Sequence, residues 1–149
     1  MKAKEIMTPD PVTVTPSDTI ARAAELMQSY GIGMVPVIDG AAKQRVEGVI
    51  TDRDITVRCV AEHHGTDCHV ADHMTSAKLA TVRPDDDISA VMDKMEREQV
   101  RRVLVVDERG MLAGVIAQAD LATKLGPKEP ARVEHVLERI SAPRGIPVA

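Results

Sequence analysis

The residues best equipped for chemistry gather in one stretch: Cys59, His63, His64, Cys68 and His69 fall within eleven positions. Thiols and imidazoles are zinc donors, and a connection between elements could hold them. The order Cys-x3-His-His-x3-Cys-His matches no standard structural zinc pattern, however. Cys59 also falls on the helix face of Ile55, so a buried thiol and surface histidines are the simpler reading. Thr51-x-x-Asp54 has the form of a capping box, in which hydroxyl and carboxylate satisfy the free amides of a helix start. Asp54 and Asp120 could act as general acids or bases, yet neither has an evident nucleophile or partner base nearby in sequence. The chain contains no Gly-x-Ser-x-Gly elbow, no phosphate loop and no His-Glu-x-x-His, and an enzyme is not expected. Gly31-Ile32-Gly33 is no dinucleotide fingerprint, because Pro36 takes the third glycine's place and a helix precedes it. Asp85-Asp86-Asp87 reads as acidic capping of a helix start, where the dipole favours negative charge, rather than as a cation site.

The elements that would position these groups occur twice. Ile6-Met7-Thr8 returns as His73-Met74-Thr75, and Val12-Thr13-Val14-x-Pro16 returns as Ala80-Thr81-Val82-x-Pro84. Ile20 and Met27 match Ile88 and Met95, and Val35-x-Val37-Ile38-Asp39 matches Val103-x-Val105-Val106-Asp107, all at a separation of 68. Gly48-Val49-Ile50-x-x-x-Asp54 recurs as Gly114-Val115-Ile116-x-x-x-Asp120. Agreement in order, spacing and type makes the chain a duplication. Ile20, Ala23, Ala24 and Met27 have helical spacing, as do Ile88, Val91, Met92 and Met95, and Gly31 suits the end of the first helix. The apolar runs Met34 to Ile38 and Val103 to Val106 predict strands buried on both faces. A second strand follows each, at Val46 to Ile50 and Leu112 to Ile116, and then a helix opening near Asp52 or Asp120. The unit reads β-α-β-β-α, with a first repeat over 1–65, a second over 66–126, and a C-terminal helix and tail over 127–149. In the last, Val133, Val136, Leu137 and Ile140 form a stripe that must be buried against the body or a partner chain. The tail from Ala142 to Pro147 is expected to be loose.

Composition narrows the classes. The 149 residues carry 19 Lys and Arg against 23 Asp and Glu, with no clustered basic surface for a nucleic acid. Tyr30 is the one aromatic residue besides the histidines, so a base would have to lie between aliphatic side chains. No window approaches a membrane span and no secretory signal is evident. Two cysteines are too few for a disulfide framework, which makes the cytoplasm the default expectation.

The duplicated pattern resembles the CBS domains, named after cystathionine β-synthase, which occur in tandem pairs. The carrying residues are Ile6-Met7-Thr8 and His73-Met74-Thr75, the runs Ile32 to Asp39 and Val100 to Asp107, and Gly48 to Asp54 with its partner Gly114 to Asp120. The resemblance covers roughly residues 3–125 and looks like the stand-alone bacterial kind. It implies an α/β (α+β) fold of two repeats packed with pseudo-two-fold symmetry, a homodimer, and clefts that bind AMP, ADP, ATP or S-adenosylmethionine. It also implies that Thr51 and Asp54 read the ligand. A carboxylate can accept from both ribose hydroxyls, while the Thr hydroxyl and helix amides favour phosphate oxygens. In the second copy Ala117 replaces the threonine, leaving Asp120 for a ribose and weakening phosphate contacts. Arg101 or Arg102 would reach a phosphate; the competing reading is a surface ion pair with Glu96 or Glu98. Adenine would sit among Ile32, Met34, Val100 and Ile116 or their neighbours. The implied function is a regulatory sensor of an adenine nucleotide that alters the surface shown to an unidentified protein partner and requires no other cofactor. The alternative is a structural or stress-associated homodimer without nucleotide, holding a metal through its Cys and His side chains.

Overall fold

The computed structural model describes residues 1–40 and 44–143. In chain order its first half contains α1 (Ala3–Ile6), β1 (Thr8–Pro9), α2 (Ile20–Tyr30), β2 (Met34–Ile38), β3 (Val46–Thr51) and α3 (Asp52–Asp54). The second half contains β4 (Thr81–Val82), α4 (Ile88–Glu98), β5 (Arg102–Val106), β6 (Leu112–Ala117), α5 (Gln118–Asp120) and α6 (Pro130–Ser141). The short α3 and α5 both run on as π-helical turns, over Ile55–Val60 and Leu121–Leu125. The fold is mixed α and β, with the repeat visible in the element order.

Two compact units form, and they do not follow chain order. Asp10–Leu79 with Glu108–Leu112 make the N-terminal unit; Met1–Pro9, Ala80–Asp107 and the chain from Ala113 onward make the C-terminal unit. In the N-terminal unit β2 pairs antiparallel with β3, from Met34 opposite Thr51 to Val37 opposite Gly48. Val14 bridges Val37 in parallel, and Thr75 pairs with Val49 on the far edge of β3. The C-terminal unit repeats the arrangement as a four-stranded sheet in the order β1-β6-β5-β4. Here β4 is parallel to β5, and Thr8 of β1 faces Val115 of β6. The Met-Thr pair that opens each repeat therefore joins the last strand of the other repeat. Both approaches require glycine, since a Cβ at Gly48 would stand 2.6 Å from the Thr75 carbonyl oxygen, and one at Gly114 would stand 2.7 Å from that of Thr8.

Helix α2 starts where the Thr19 hydroxyl accepts from the Arg22 amide, and it ends at Gly31 in the left-handed region (φ +62°), as its sequence implies. Its buried face is Ile20, Ala23 and Leu26; Met27 is half-buried, while Ala24, placed on the stripe by its spacing, is exposed. These residues pack with Val14, Val35, Val37, Ile50, Cys59 and Val70. On α4 all of Ile88, Val91, Met92 and Met95 are buried, in a core shared with Val103, Val105, Ile116, Leu121 and Leu125. The α6 stripe of Val133, Val136 and Ile140 closes that same core. The stripe is thus buried against its own unit, with Leu137 half-buried beside it. Among the described residues no helix is long and apolar enough to cross a membrane. The tail from Arg144 onward lies outside the described residues.

The three consecutive aspartates do not cap α4 as expected. Asp87 holds the N-cap position without a side-chain cap bond. Its carboxylate takes the Lys2 ammonium at 2.8 Å, Asp85 takes Lys4 at 2.7 Å, and Asp86 accepts from the Arg83 amide at 2.8 Å. Lys2, at the N-cap of α1, and Lys4 within it, brought alongside by the fold, offer the exposed carboxylates full charges instead of helix amides. The hydrogen bond to Lys2 and its charge hold the Asp87 carboxyl below the usual carboxylate range.

Candidate functional site

Strand β3 ends at Thr51, whose extended backbone turns directly into α3. The Thr51 hydroxyl accepts from the Asp54 amide and the Thr51 amide donates to Asp54 Oδ2, both at 3.0 Å. The capping box is therefore complete, and it orients the Asp54 carboxylate, which is largely buried. Oδ2 is committed to the backbone. Among the described residues Oδ1 meets distant partners: the Arg58 guanidinium at 3.7 Å and the Thr75 hydroxyl at 3.4 Å. Contacts this long are weak, so Oδ1 keeps most of its capacity to accept from a better donor. Arg58 also donates to the Met74 carbonyl, which keeps a cation beside the carboxylate.

The second copy builds the same frame with different strength. The Ala117 amide donates to Asp120 Oδ2 at 2.8 Å, with no hydroxyl to complete the box. Lys124 stands where Arg58 stands in the first copy, but its ammonium closes on Asp120 Oδ1 at 3.0 Å and on the Ile6 carbonyl at 2.8 Å. The Asp120 carboxylate is thus engaged at both oxygens, whereas that of Asp54 is engaged firmly at one.

Arg101 is exposed and Arg102 half-buried. The ion pair with Glu96 or Glu98 is not formed, because Glu96 receives Arg132, His135 and Arg139, and Glu98 receives Lys94. Among the described residues neither Arg101 nor Arg102 has a side-chain ion pair. Of the apolar residues assigned to adenine, Ile32 is exposed, and Met34 and Val100 are half-buried. Ile116 is enclosed in the core of its unit at 0 % exposure. Strand alternation turns Ile116 inward and leaves its neighbours Val115 and Ala117 half-buried, so Ile116 itself offers a ligand no surface.

The connection from α3 to Thr75 gathers a different set of groups. Ligand atoms of His64, Cys68 and His73 all lie within 4.8 Å of one another. Cys59 is buried, and its thiol donates to the carbonyls of His64 and Gly65 at 3.7 and 3.6 Å. Burial, with the neighbouring Cys68 thiol, pushes the Cys59 thiol up. His63 and His69 are exposed and stand outside the cluster. Reading by spacing alone missed His73, which belongs to the Met-Thr motif at the start of the repeat. The signal was present in the duplication: Ile6, its counterpart, is a core residue, and a buried histidine in that place asks for an explanation.

Comparison with known proteins agrees with this architecture. The family model described as CBS domain matches residues 3–60 and again 70–126. The CBS domain-containing protein YhcV of Bacillus subtilis is 34% identical over 119 residues, covering 80% of this chain and 81% of its own. Among solved structures, the CBS domain protein PAE2072 from Pyrobaculum aerophilum, complexed with AMP, aligns with a TM-score of 0.76 at 26% identity. That alignment covers 92% of this chain and 98% of the other. Hypoxic Response Protein I, with two coordinated zinc ions, aligns with a TM-score of 0.72 at 28% identity over 82% of this chain and 97% of its own. Two matches of the family model, on the two halves of a duplicated sequence, identify the chain as a member of the CBS-domain family with a tandem pair of repeats.

Proposed function

We propose that this chain is a regulatory module that binds an adenine nucleotide (AMP, ADP, ATP or S-adenosylmethionine) through Thr51 and Asp54, and that it catalyses no reaction. The observation that carries the reading is the half-used Asp54 carboxylate: Oδ2 is fixed by the Thr51 amide while Oδ1, among the described residues, has partners no nearer than 3.4 Å. A ribose diol presents two hydroxyl donors and would be a stronger partner for that oxygen than the distant ones it has. The AMP complex of PAE2072 supports the class of ligand. In the second copy Arg101 or Arg102 would supply a contact to phosphate, and Asp120, held by Lys124, a weaker one to ribose. Occupancy would change the surface offered to a protein partner, by no more than the ligand's difference in affinity between the two states. The family resemblance makes a homodimer the expected assembly.

The test is thermal unfolding of the wild type and of Asp54→Ala, each with and without AMP, ADP, ATP or S-adenosylmethionine. A specific ligand at ~100 times its dissociation constant adds ~2.7 kcal/mol. The quantity compared is the ligand-induced shift of each protein, so the lost cap in the variant does not enter. One adenylate is expected to raise the wild-type midpoint by several degrees and to leave that of Asp54→Ala where it was. If no adenylate shifts the wild type, the nucleotide reading fails. If the variant responds as strongly as the wild type, Asp54 is not the residue that reads the ligand.

A further inference from the structure

We propose that His64, Cys68 and His73 form a binding site for a zinc-class divalent ion in the connection after α3, with water in the fourth position. The donor set, two imidazoles and one thiol, suits a borderline-soft ion with no demand on geometry. His64 Nδ1 and His73 Nε2 lie 3.4 Å apart, with ring centres separated by 5.1 Å. That distance is long for a hydrogen bond between two rings. Two nitrogens each about 2.0–2.1 Å from one tetrahedral ion stand about 3.3–3.4 Å apart, so the spacing fits a shared ion better than a shared proton.

The surrounding backbone holds the three residues in place. The His64 amide donates to the Cys59 carbonyl at 2.9 Å, and the Cys68 carbonyl accepts from the Ile20 amide at 2.8 Å. The Val70 amide donates to the Asp18 carbonyl at 2.8 Å, and the His73 amide to the Val70 carbonyl at 3.0 Å. The middle of the loop is thus tied down near the start of α2 and its His64 end to Cys59, and Val70, between Cys68 and His73, is fully buried. The site is reachable from one side: His64 is exposed, Cys68 half-buried and His73 buried at 4 % exposure. Cys59 is left out because its sulfur points at two carbonyls.

His73 gives the independent reason. Its counterpart Ile6 fills the core of the C-terminal unit at 2 % exposure. Replacing such an isoleucine by a buried imidazole carries a desolvation cost, and ligation offsets it. A bound ion would also anchor Thr75, two residues on, at β3 and beside Asp54.

The probes are Zn2+ and Co2+ themselves, added to the full chain under a phosphine reductant, which keeps Cys59 and Cys68 from pairing. We expect one equivalent of Co2+ to bind, with visible absorption of a tetrahedral ion and a near-ultraviolet thiolate-to-metal band. Cys68→Ser removes the thiolate band, and His64→Ala, on the exposed side, lowers affinity for Zn2+ at least tenfold. His63→Ala and His69→Ala leave affinity unchanged. Circular dichroism of each variant establishes that it is folded. Failure of the wild type to bind one equivalent, or affinity in Cys68→Ser and His64→Ala unchanged from the wild type, overturns the site. Because the readout uses no nucleotide and the adenylate assay uses no metal, the two proposals fail separately.

Discussion

Gly48→Ala tests the exchange of leading segments between repeats, the feature on which both units are built. Gly48 lies in β3, and a Cβ there would stand 2.6 Å from the Thr75 carbonyl oxygen and 3.4 Å from Met74 Sδ. The nearer atom is backbone and cannot swing aside. It also accepts from the Val49 amide at 2.9 Å, while the Thr75 amide donates back to the Val49 carbonyl at 2.8 Å. Relieving the clash means moving the 74–75 segment away and weakening both bonds, each worth about 0.5–1.5 kcal/mol. Overpacking by one methyl costs about 1–3 kcal/mol, a range that includes such shifts. Alanine recovers about 0.5–1 kcal/mol by restricting the unfolded chain. Because the obstructing atom is backbone, the upper end of the overpacking range applies, and the net expectation is a loss of about 2 kcal/mol. Gly31→Ala is the comparison: nothing lies within 4 Å of its Cβ position, so its cost is the left-handed backbone alone (φ +62°), about 1–2 kcal/mol less the same unfolded-chain gain, or about 1 kcal/mol net. Urea unfolding followed by circular dichroism reads both, with the slope against denaturant checked for constancy. A Gly48→Ala midpoint equal to the wild type, or higher than that of Gly31→Ala, would refute the seating of Thr75 against β3.

Other consequences are as direct. Leu121, at 0 % exposure in the C-terminal core, should cost about 2–5 kcal/mol as Leu121→Ala, whereas Glu134→Ala on the exposed face of α6 should stay within about 0.5 kcal/mol; urea midpoints of the two separate packing from helix propensity. Because Lys2 depresses the Asp87 carboxyl, its contribution is complete above the unfolded carboxylate value of about 3.9 and is lost as pH falls through the lower folded value. Asp87→Asn should therefore unfold at lower urea than the wild type at about pH 7 and match it at about pH 2, and added salt at neutral pH should narrow the gap; an equal gap at both pH values would show that the pairing contributes nothing.

The sequence determined the duplication, the helical stripes and the strand pairs, because each is a periodic pattern of apolar residues that local geometry reads out. Ile88, Val91, Met92 and Met95 went to the core as their spacing implied, and Gly31 ended its helix in the left-handed region. Thr51 and Asp54 were legible as a capping box since its two hydrogen bonds span three residues. What lay beyond local spacing was decided by tertiary structure. The aspartates before α4 met lysines about eighty positions earlier in the chain and bonded to them, not to the helix amides. The π-helical continuations of α3 and α5 have no periodic signature in so few residues. Thr75 reached Asp54, and Thr8 reached β6, through an exchange of segments that no single repeat encodes by itself. His73 came beside His64 and Cys68 for the same reason: residues nine apart become neighbours only when the backbone between them is folded back and tied to α2. Spacing along the chain specifies what one turn or one strand can bring together, and long-range pairing, set by burial and backbone hydrogen bonds, specifies the rest.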